Sequence, residues 1–401
     1  MGILRISPWA GPRRPGSVGR MDVTIIGGGI AGLALAHELA PDHDVTVLES
    51  SPGPRGGGSM IDFFGPGFGA AERMGVIEEL RSRGHVFEGV RYGTPDGTET
   101  GRIDAGPLID AAGGRCFSIL RPEVELGLLA ALPGNVDLRY GARAVGVRAT
   151  APQRAAVELA DGTELDADLV VACDGVRSPF REHVAPGHGE IIPMGYRAAS
   201  YLFEDPDLAR ELGDRLLMTD TVQRTGWLYA ADASRVGVMF TERVDRRDAS
   251  RPTPDPDRLR RRFAGLHPQI DRALTRAPES FYDDLVAQSH APRWSRGRVV
   301  LAGDAAHAPS LLAGQGTSLA IAGAEALARS LRATGPYVEA GLAEYERRWR
   351  PTAQKVARSG RLSAAAFIPA TTLQLRLQRL ARRAVDLPGA RTVLARQFIA
   401  A

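Results

Sequence analysis

Residues 21–49 read MDVTIIGGGIAGLALAHELAPDHDVTVLE, and this stretch decides the fold. Residues 22–26 form a short apolar run rich in β-branched side chains, the pattern of a buried strand. The run enters Gly27-Gly28-Gly29-Ile30-Ala31-Gly32, a G-x-G-x-x-G, and residues 33–39 then carry helical character. A second strand at 45–48 ends on Glu49. The glycines serve separate purposes. Gly27 permits the tight turn, Gly29 lets a pyrophosphate approach bare backbone, and Gly32 lets helix and strand pack closely. The free N–H groups of Ile30 and Ala31 and the helix dipole face the phosphate charge. A carboxylate at Glu49 suits the hydroxyls of an unphosphorylated ribose, so the site is read as one for FAD or NAD.

Composition narrows the classes. The 401 residues allow two domains or one domain with a large insertion, and 50 basic residues nearly balance 47 acidic ones. The chain shows no interleaved basic and aromatic face, so no nucleic-acid partner is expected. Arginine supplies nearly all the positive charge, Lys355 being the only lysine. Cys116 and Cys173 cannot build a disulfide framework and are read as small buried hydrophobes in a cytoplasmic protein. No apolar run is long enough to cross a bilayer, so no membrane partner is expected. Residues 1–20 read as a disordered extension, with Met21 at the true start of the fold.

Farther along, residues 50–59 (SSPGPRGGGS, with Arg55 and Gly58) form a loop bare enough to lie against a flat ligand. Residues 70–81 are expected as one short helix, and 123–132 as another opening at Arg121-Pro122. Residues 136–140 and 144–148 are strand candidates, and 156–168 a hairpin turning at Asp161-Gly162. The strand at 169–173 stops at Asp174-Gly175. Between 191 and 282 alternating β runs suggest an inserted antiparallel sheet, and RVVL at 298–301 marks the return of the first domain. A small-residue helix at 316–331 and arginine-rich helices broken near Pro369 and Pro388 complete the chain.

Three stretches now stand in order: the glycine motif, the run 173–181 (CDGVRSPFR), and the run 303–309 (GDAAHAP) followed by Gly314-Gln315-Gly316. Together they resemble the class A flavin-dependent monooxygenases of the para-hydroxybenzoate hydroxylase type, including the tetracycline-modifying enzymes, across residues 21–358. The resemblance implies an α/β fold: a Rossmann-like FAD-binding domain (21–86, 106–185, 290–355), an inserted, mainly antiparallel-sheet substrate domain (87–105, 186–289) and C-terminal helices (356–401).

The resemblance also implies roles. Asp304 at a strand end would hold the ribityl chain of FAD, the alternative being a helix N-cap. Pro309, Gly314, Gln315 and Gly316 would meet the isoalloxazine edge, the following helix aiming its positive end at the pyrimidine. Arg121 would contact FAD, and Asp174 would support the cofactor loop. Arg177 and Arg181 are read as surface arginines of a helix, with a phosphate within reach of Arg177.

NADPH or NADH would reduce the flavin, O₂ would add as a C4a-hydroperoxide, and an aromatic or polyketide-like, antibiotic-like substrate would take the distal oxygen. Trp227, Tyr229, Met239 and Phe240 are expected to wall the substrate. The cofactor carries the chemistry, so no protein nucleophile is expected; His307 packs beneath its loop, and no metal site is read from the histidine spacing. A monomer or homodimer is expected. The alternatives are an oxidase or reductase on the same scaffold, or a non-catalytic flavoprotein that binds a small molecule. A nicotinamide-only dehydrogenase leaves 304–316 unexplained, and a halogenase lacks its lysine near the flavin and the W-x-W-x-I-P motif. The terminal leucines, among them Leu373, Leu375, Leu377 and Leu380, are expected to be buried where the tail spans the two domains.

Overall fold

A computed structural model describes residues 20–54, 57–246 and 252–384; Arg55, Pro388 and the 1–19 extension lie outside them. The first predicted strand, Asp22–Ile26, sits centrally in a six-stranded sheet. The sheet runs Ser295–Arg296, Val299–Leu301, Leu169–Ala172, Asp22–Ile26, Asp44–Glu49, Asp137–Tyr140. All neighbours are parallel except the Ser295–Arg296 edge. Continuous β-branched and aliphatic runs suit strands covered on both faces. Helix Ile30–Leu39 and helix Gly316–Thr334 pack on one another, and their alanines and leucines fill the main core.

A seven-stranded sheet forms the second unit, in the order Tyr282–His290, Glu190–Glu204, Arg235–Arg243, Arg224–Ala230, Arg215–Thr219, Gly89–Gly93, Glu99–Asp104. Only the Arg215–Thr219 and Gly89–Gly93 pair is parallel. Its outer face, with Leu228, Val238 and Phe240, buries against the short helices Pro206–Leu212, Pro256–Phe263 and Pro268–Thr275. The strand period of two therefore puts Phe240 in that outer core and corrects its place in the substrate wall. The inner face turns toward the first unit, where Tyr229 meets Phe87, Met60 and Leu120.

Two expectations about helices change. The helix expected over 70–81 is two, Pro66–Arg73 and Ile77–Ser82, because Gly75 takes φ +73° and breaks the backbone path between them. The 30-residue helix Val338–Phe367 does bridge the units, with Tyr345 and Ala353 in the main core and Ala364 against Tyr196. Of the terminal leucines on helix Thr372–Ala384, however, only Leu375 is buried, at 8% exposure, while Leu373, Leu377 and Leu380 are 66%, 56% and 60% exposed.

Charge holds this helix instead. Arg379 and Arg382 each place a guanidinium nitrogen 2.6 Å from a different oxygen of Asp220, whose side chain is 1% exposed. Arg243 donates to the Ile368 carbonyl at 2.9 and 2.7 Å, and Gln223 N donates to Pro369 O at 2.9 Å. Asp220→Ala leaves two cations without their buried partner and should cost about 3 kcal/mol. Limited proteolysis should then cut residues 371–384 faster than in the parent, and equal rates would show that the ion pair does not hold the helix.

Candidate functional site

The parallel strands end together. Ile26 is in register with Leu48 and with Ala172, and Ala172 with Leu301. Gly27, Glu49, Asp174 and Asp304 consequently emerge along one carboxyl edge, where open α/β sheets bind ligands. A cleft at this edge is lined by Gly27, Gly28, Gly29, Glu49, Arg121 and Asp174.

The glycines fit the purposes read from their spacing. Gly27 has φ +105°, and a Cβ there would sit 2.6 Å from Cys173 O. A Cβ on Gly32 would lie 1.9 Å from Gly27 O, so helix and turn touch backbone to backbone. At Gly29 a Cβ would face Glu125 Oε1 and Arg121 Nη2 at 3.8 and 4.0 Å, which makes this glycine the open floor of the cleft. The first helical bond is Leu33 N to Gly29 O, and Gly29 has no side-chain cap, so the preceding N–H groups of Ile30, Ala31 and Gly32 point outward. Buried Glu49 accepts from Gly28 N and Ser51 N, both at 2.8 Å, which fixes its carboxylate at the rim. Gly58, at φ +120°, lies against Pro122 beside Arg121. Arg121 pairs with Glu125 at 2.9 Å while its guanidinium remains open to the cleft.

Asp304 begins a short helix whose N-cap is Gly303 and which has no side-chain cap bond, so its carboxylate is not spent as a cap. Solvent reaches it, yet the surrounding protein raises its pKa, an effect opposed by Arg121 and Arg181. Tyr282 has the same character: 43% exposed, it is raised by burial and feels Arg177, Arg121 and Asp304. Gly303, at φ +57°, would put a Cβ 2.6 Å from Ala31, so this loop lies directly against the nucleotide helix.

Downstream, Ser310 adopts φ +97°, a costly conformation for a non-glycine residue. Its Oγ and Gln315 Oε1 are buried without partners among the described residues. Unsatisfied polar atoms in a strained loop fit a ligand with hydrogen-bonding edges, as a flavin ring has. Gly314, at φ +67°, completes the turn into helix Gly316–Thr334.

Sequence reasoning missed the residues that pin this loop. Ser289 Oγ donates to Asp304 O at 2.8 Å and accepts from Ala308 N at 2.7 Å. Gln288 Nε2 donates to Pro309 O at 2.8 Å, and Arg361 holds Gln288 Oε1 at 2.6 Å. Gln288 and Ser289 lie on an edge strand, and nothing in their local pattern marks them.

Arg177 is exposed as expected, but the surface reading of Arg181 needs correction. Arg181 is buried, donating to Ala305 O at 2.8 Å and to Val176 O, because its helix packs beneath the cofactor loop. Arg177 forms a fork with Asp284 at 2.5 and 2.6 Å, so its charge joins the two units. His307 is buried beside Trp294, and burial lowers its pKa to about 4, leaving a neutral ring near pH 7. Among the described residues no cluster of metal-ligating side chains occurs.

On the inner sheet face Trp227 is in register with Met239, and Trp227 Nε1 is buried without a partner. Phe367 covers this indole with ring centroids 5.4 Å apart. The Tyr229 hydroxyl is committed to Met60 N at 2.9 Å, so this side chain ties the sheet to the first unit.

Asp174 offers a measurable signature. Burial pushes its carboxyl up to about 6, against the influence of Ser178 and Arg181, and its Oδ1 is buried without a partner. A raised carboxylate pKa stabilises the fold below about pH 4, and that contribution is lost as pH rises through about 6. In ligand-free protein, Asp174→Asn should therefore gain stability over the parent between these values, reaching about 3 kcal/mol by pH 7. Urea unfolding at several pH values measures it, and a pH-independent difference would remove the assignment.

Comparisons with known proteins follow from this geometry. Residues 20–359 match the family described as FAD binding domain. An FAD-dependent urate hydroxylase of Mycolicibacterium vanbaalenii is 30% identical over 349 residues, covering 81% of this chain and 83% of its own. The 3-amino-4-hydroxybenzoate 2-monooxygenase PtmB3 of Streptomyces platensis is 28% identical over 355 residues, covering 85% and 87%. In fold, the chain is similar to Klebsiella pneumoniae HpxO complexed with FAD and uric acid, with TM-score 0.79, 23% identity and coverage of 94% and 96%. Tetracycline destructase Tet(55) gives TM-score 0.75 at 23% identity, covering 90% and 96%. The chain belongs to the FAD-binding-domain family of class A flavoprotein monooxygenases, and it is an FAD-dependent monooxygenase.

Proposed function

We propose that this enzyme takes electrons from NADPH or NADH and inserts one atom of O₂ into a flat aromatic or polyketide-like molecule, antibiotics among them. The observation that carries the reading is the convergence of the outward N–H groups of Ile30 and Ala31, the carboxylates of Glu49 and Asp304 and the open guanidinium of Arg121 on one sheet edge. The inner sheet face that meets the first unit at Tyr229 also carries Trp227 and Met239.

Each residue has a part suited to its chemistry. Ile30, Ala31 and Arg121 hold the pyrophosphate of FAD, with Gly27, Gly29 and Gly32 keeping backbone close to it. Glu49 takes the ribose hydroxyls and Asp304 the ribityl hydroxyls, while Asp174 and Gly58 support the loops on either side. Arg55, outside the described residues, is assigned to the same loop. Pro309, Gly314, Gln315 and Gly316 present backbone and one amide to the ring edge, and helix Gly316–Thr334 turns its positive end there. When bound, FAD supplies the two-electron reduction by the nicotinamide and the activation of O₂. The protein's share is to orient an electron-rich ring under the inner sheet face and to keep bulk water away.

Two measurements bear on this reading. Asp304→Ala should purify with at least about tenfold weaker FAD binding, equivalent to ~1.4 kcal/mol. Full flavin content in that variant would remove its ribityl role. Oxidation of NADPH and NADH should be screened over phenols and fused aromatics, with mass spectrometry of the products. A gain of one oxygen from ¹⁸O₂ is expected. Hydrogen peroxide without oxygenated product across the panel would point to an oxidase instead.

A further inference from the structure

A cluster of rings lies beneath the loop that carries Asp304 and has no part in gripping the cofactor. Leu301 N donates to Trp294 O at 2.8 Å, which fastens Trp294 to the strand that ends at this loop. Trp294 is 2% exposed, and its ring centroid lies 5.0 Å from that of His307 and 5.5 Å from that of Tyr345. The His307 centroid lies 6.5 Å from that of Trp349, which is only partly buried. Tyr345 and Trp349 stand four residues apart on one face of helix Val338–Phe367. The cluster therefore runs from beneath the loop to a ring that solvent reaches.

Its inner end adjoins the cofactor cleft. Burial, and after it the charge of Cys173, raises the pKa of the Tyr345 hydroxyl, and Cys173 lines the cleft. Gly323 makes room at the outer end. A Cβ there would lie 2.8 Å from Trp349 Nε1 and 3.6 Å from His307 Nε2, so the glycine lets the indole approach the imidazole.

The polar atoms of these rings decide which of them can lose an electron. The Tyr345 hydroxyl, Trp349 Nε1 and both His307 nitrogens are buried without partners among the described residues. A phenol sheds its proton when oxidised, so Tyr345, with no acceptor, is a poor resting place for a positive hole. An indole can lose an electron and keep its N–H, which leaves Trp294 and Trp349. His307, neutral near pH 7, puts no positive charge between them. Arg350 lies over Trp294, its guanidinium carbon 4.6 Å from the centroid, and it steadies the neutral ring but opposes a positive one. Glu346 holds that guanidinium, accepting from it at 2.5 Å and from Trp294 N at 2.7 Å. A hole on Trp294 is therefore driven outward to Trp349.

We propose that Trp294 and Trp349 form a one-electron relay that carries oxidising equivalents from the cofactor edge to the surface, a protective activity separate from oxygenation. It rests on the reading that O₂ is reduced at this edge. The oxidant is a hydroxyl radical, formed when O₂ is reduced with no substrate placed to take the oxygen. Trp294 gives up one electron, and the radical, taking that electron and a proton from solvent, becomes water. Trp349 refills Trp294. Ascorbate in solvent refills Trp349, and the O–H bond it breaks returns the proton used to form water. No bond of the protein breaks, so both indoles end as they began. Without the relay the oxidant meets the Cys173 thiol, whose oxidation past the sulfenic acid is not readily reversed.

The test begins with FAD-loaded enzyme held without oxygen, a light flash on the flavin as the oxidant, and transient absorption as the readout. The parent should show a tryptophanyl radical that ascorbate quenches. Trp349→Phe should keep the early signal and lose its long-lived part, while Trp294→Phe should lose both. Trp227→Phe, in the other unit, should match the parent. Parent and Trp349→Phe are then run in air with NADPH or NADH over the panel of phenols and fused aromatics, and their peptides are read by mass spectrometry. Trp349→Phe should bind FAD as the parent does yet accumulate oxidised Cys173 in fewer turnovers, and ascorbate should slow that damage in the parent alone.

A parent with no tryptophanyl radical overturns the relay and leaves the monooxygenase reading intact. So does a long-lived signal that survives in Trp349→Phe or vanishes in Trp227→Phe, or equal oxidation of Cys173 in parent and Trp349→Phe. An enzyme that oxidises neither nicotinamide across the panel overturns the reading of O₂ reduction at this edge, and this proposal with it.

Discussion

Four strands reach the same height in the sheet, and everything at the site follows from that registry. Ile26, Leu48, Ala172 and Leu301 form one row of a parallel sheet, so the loops after them share one edge although they lie far apart in the chain. Parallel strands with apolar faces on both sides resist slippage, because a one-residue shift would exchange the side chains of the two faces. The backbone contact between Gly32 and Gly27, and the close approach of Gly303 to the Ala31 methyl, then lock helix and loops onto the edge.

The fold places carboxylates where the surrounding protein disfavours their charge. Asp304, Asp174 and Asp62 are all raised by their surroundings. The cations that could have quenched them are committed elsewhere or face them only at a distance. Arg177 forks Asp284, Arg379 and Arg382 clamp Asp220, and Arg181 donates to carbonyls. Arginine suits these duties because its planar fork binds two acceptors at once, and a chain with a single lysine uses it for nearly every fixed ion pair. Acids left without matched cations hold the capacity to bind hydroxyl-rich ligands or to move protons.

Strain and unsatisfied polarity collect in the loop that enters helix Gly316–Thr334. Ser310 at φ +97°, the lone Oγ beside it and Gln315 Oε1 are costs the fold bears without recovering them internally. Ser289 and Gln288 from the sheet edge keep the loop in that form, so the second unit shapes the cofactor edge of the first. Its inner face also carries Trp227 in register with Met239.

Local chemistry made the first half of the site legible. Glycine spacing, a strand before it and an acid after it are constraints satisfied within about thirty residues, and the runs at 173–181 and 303–316 are equally self-contained. The sequence by itself therefore determined the FAD fold, the glycine turn and the strand ends at Glu49, Asp174 and Asp304. Only tertiary structure decided which face of a strand is inside, sending Phe240 outward and Met239 inward. It alone buried Arg181, left Leu373, Leu377 and Leu380 in solvent, and brought Gln288 and Ser289 to the cofactor loop. Those placements depend on pairing between distant strands and on which partner takes each charge, and neither is written in the spacing of nearby residues.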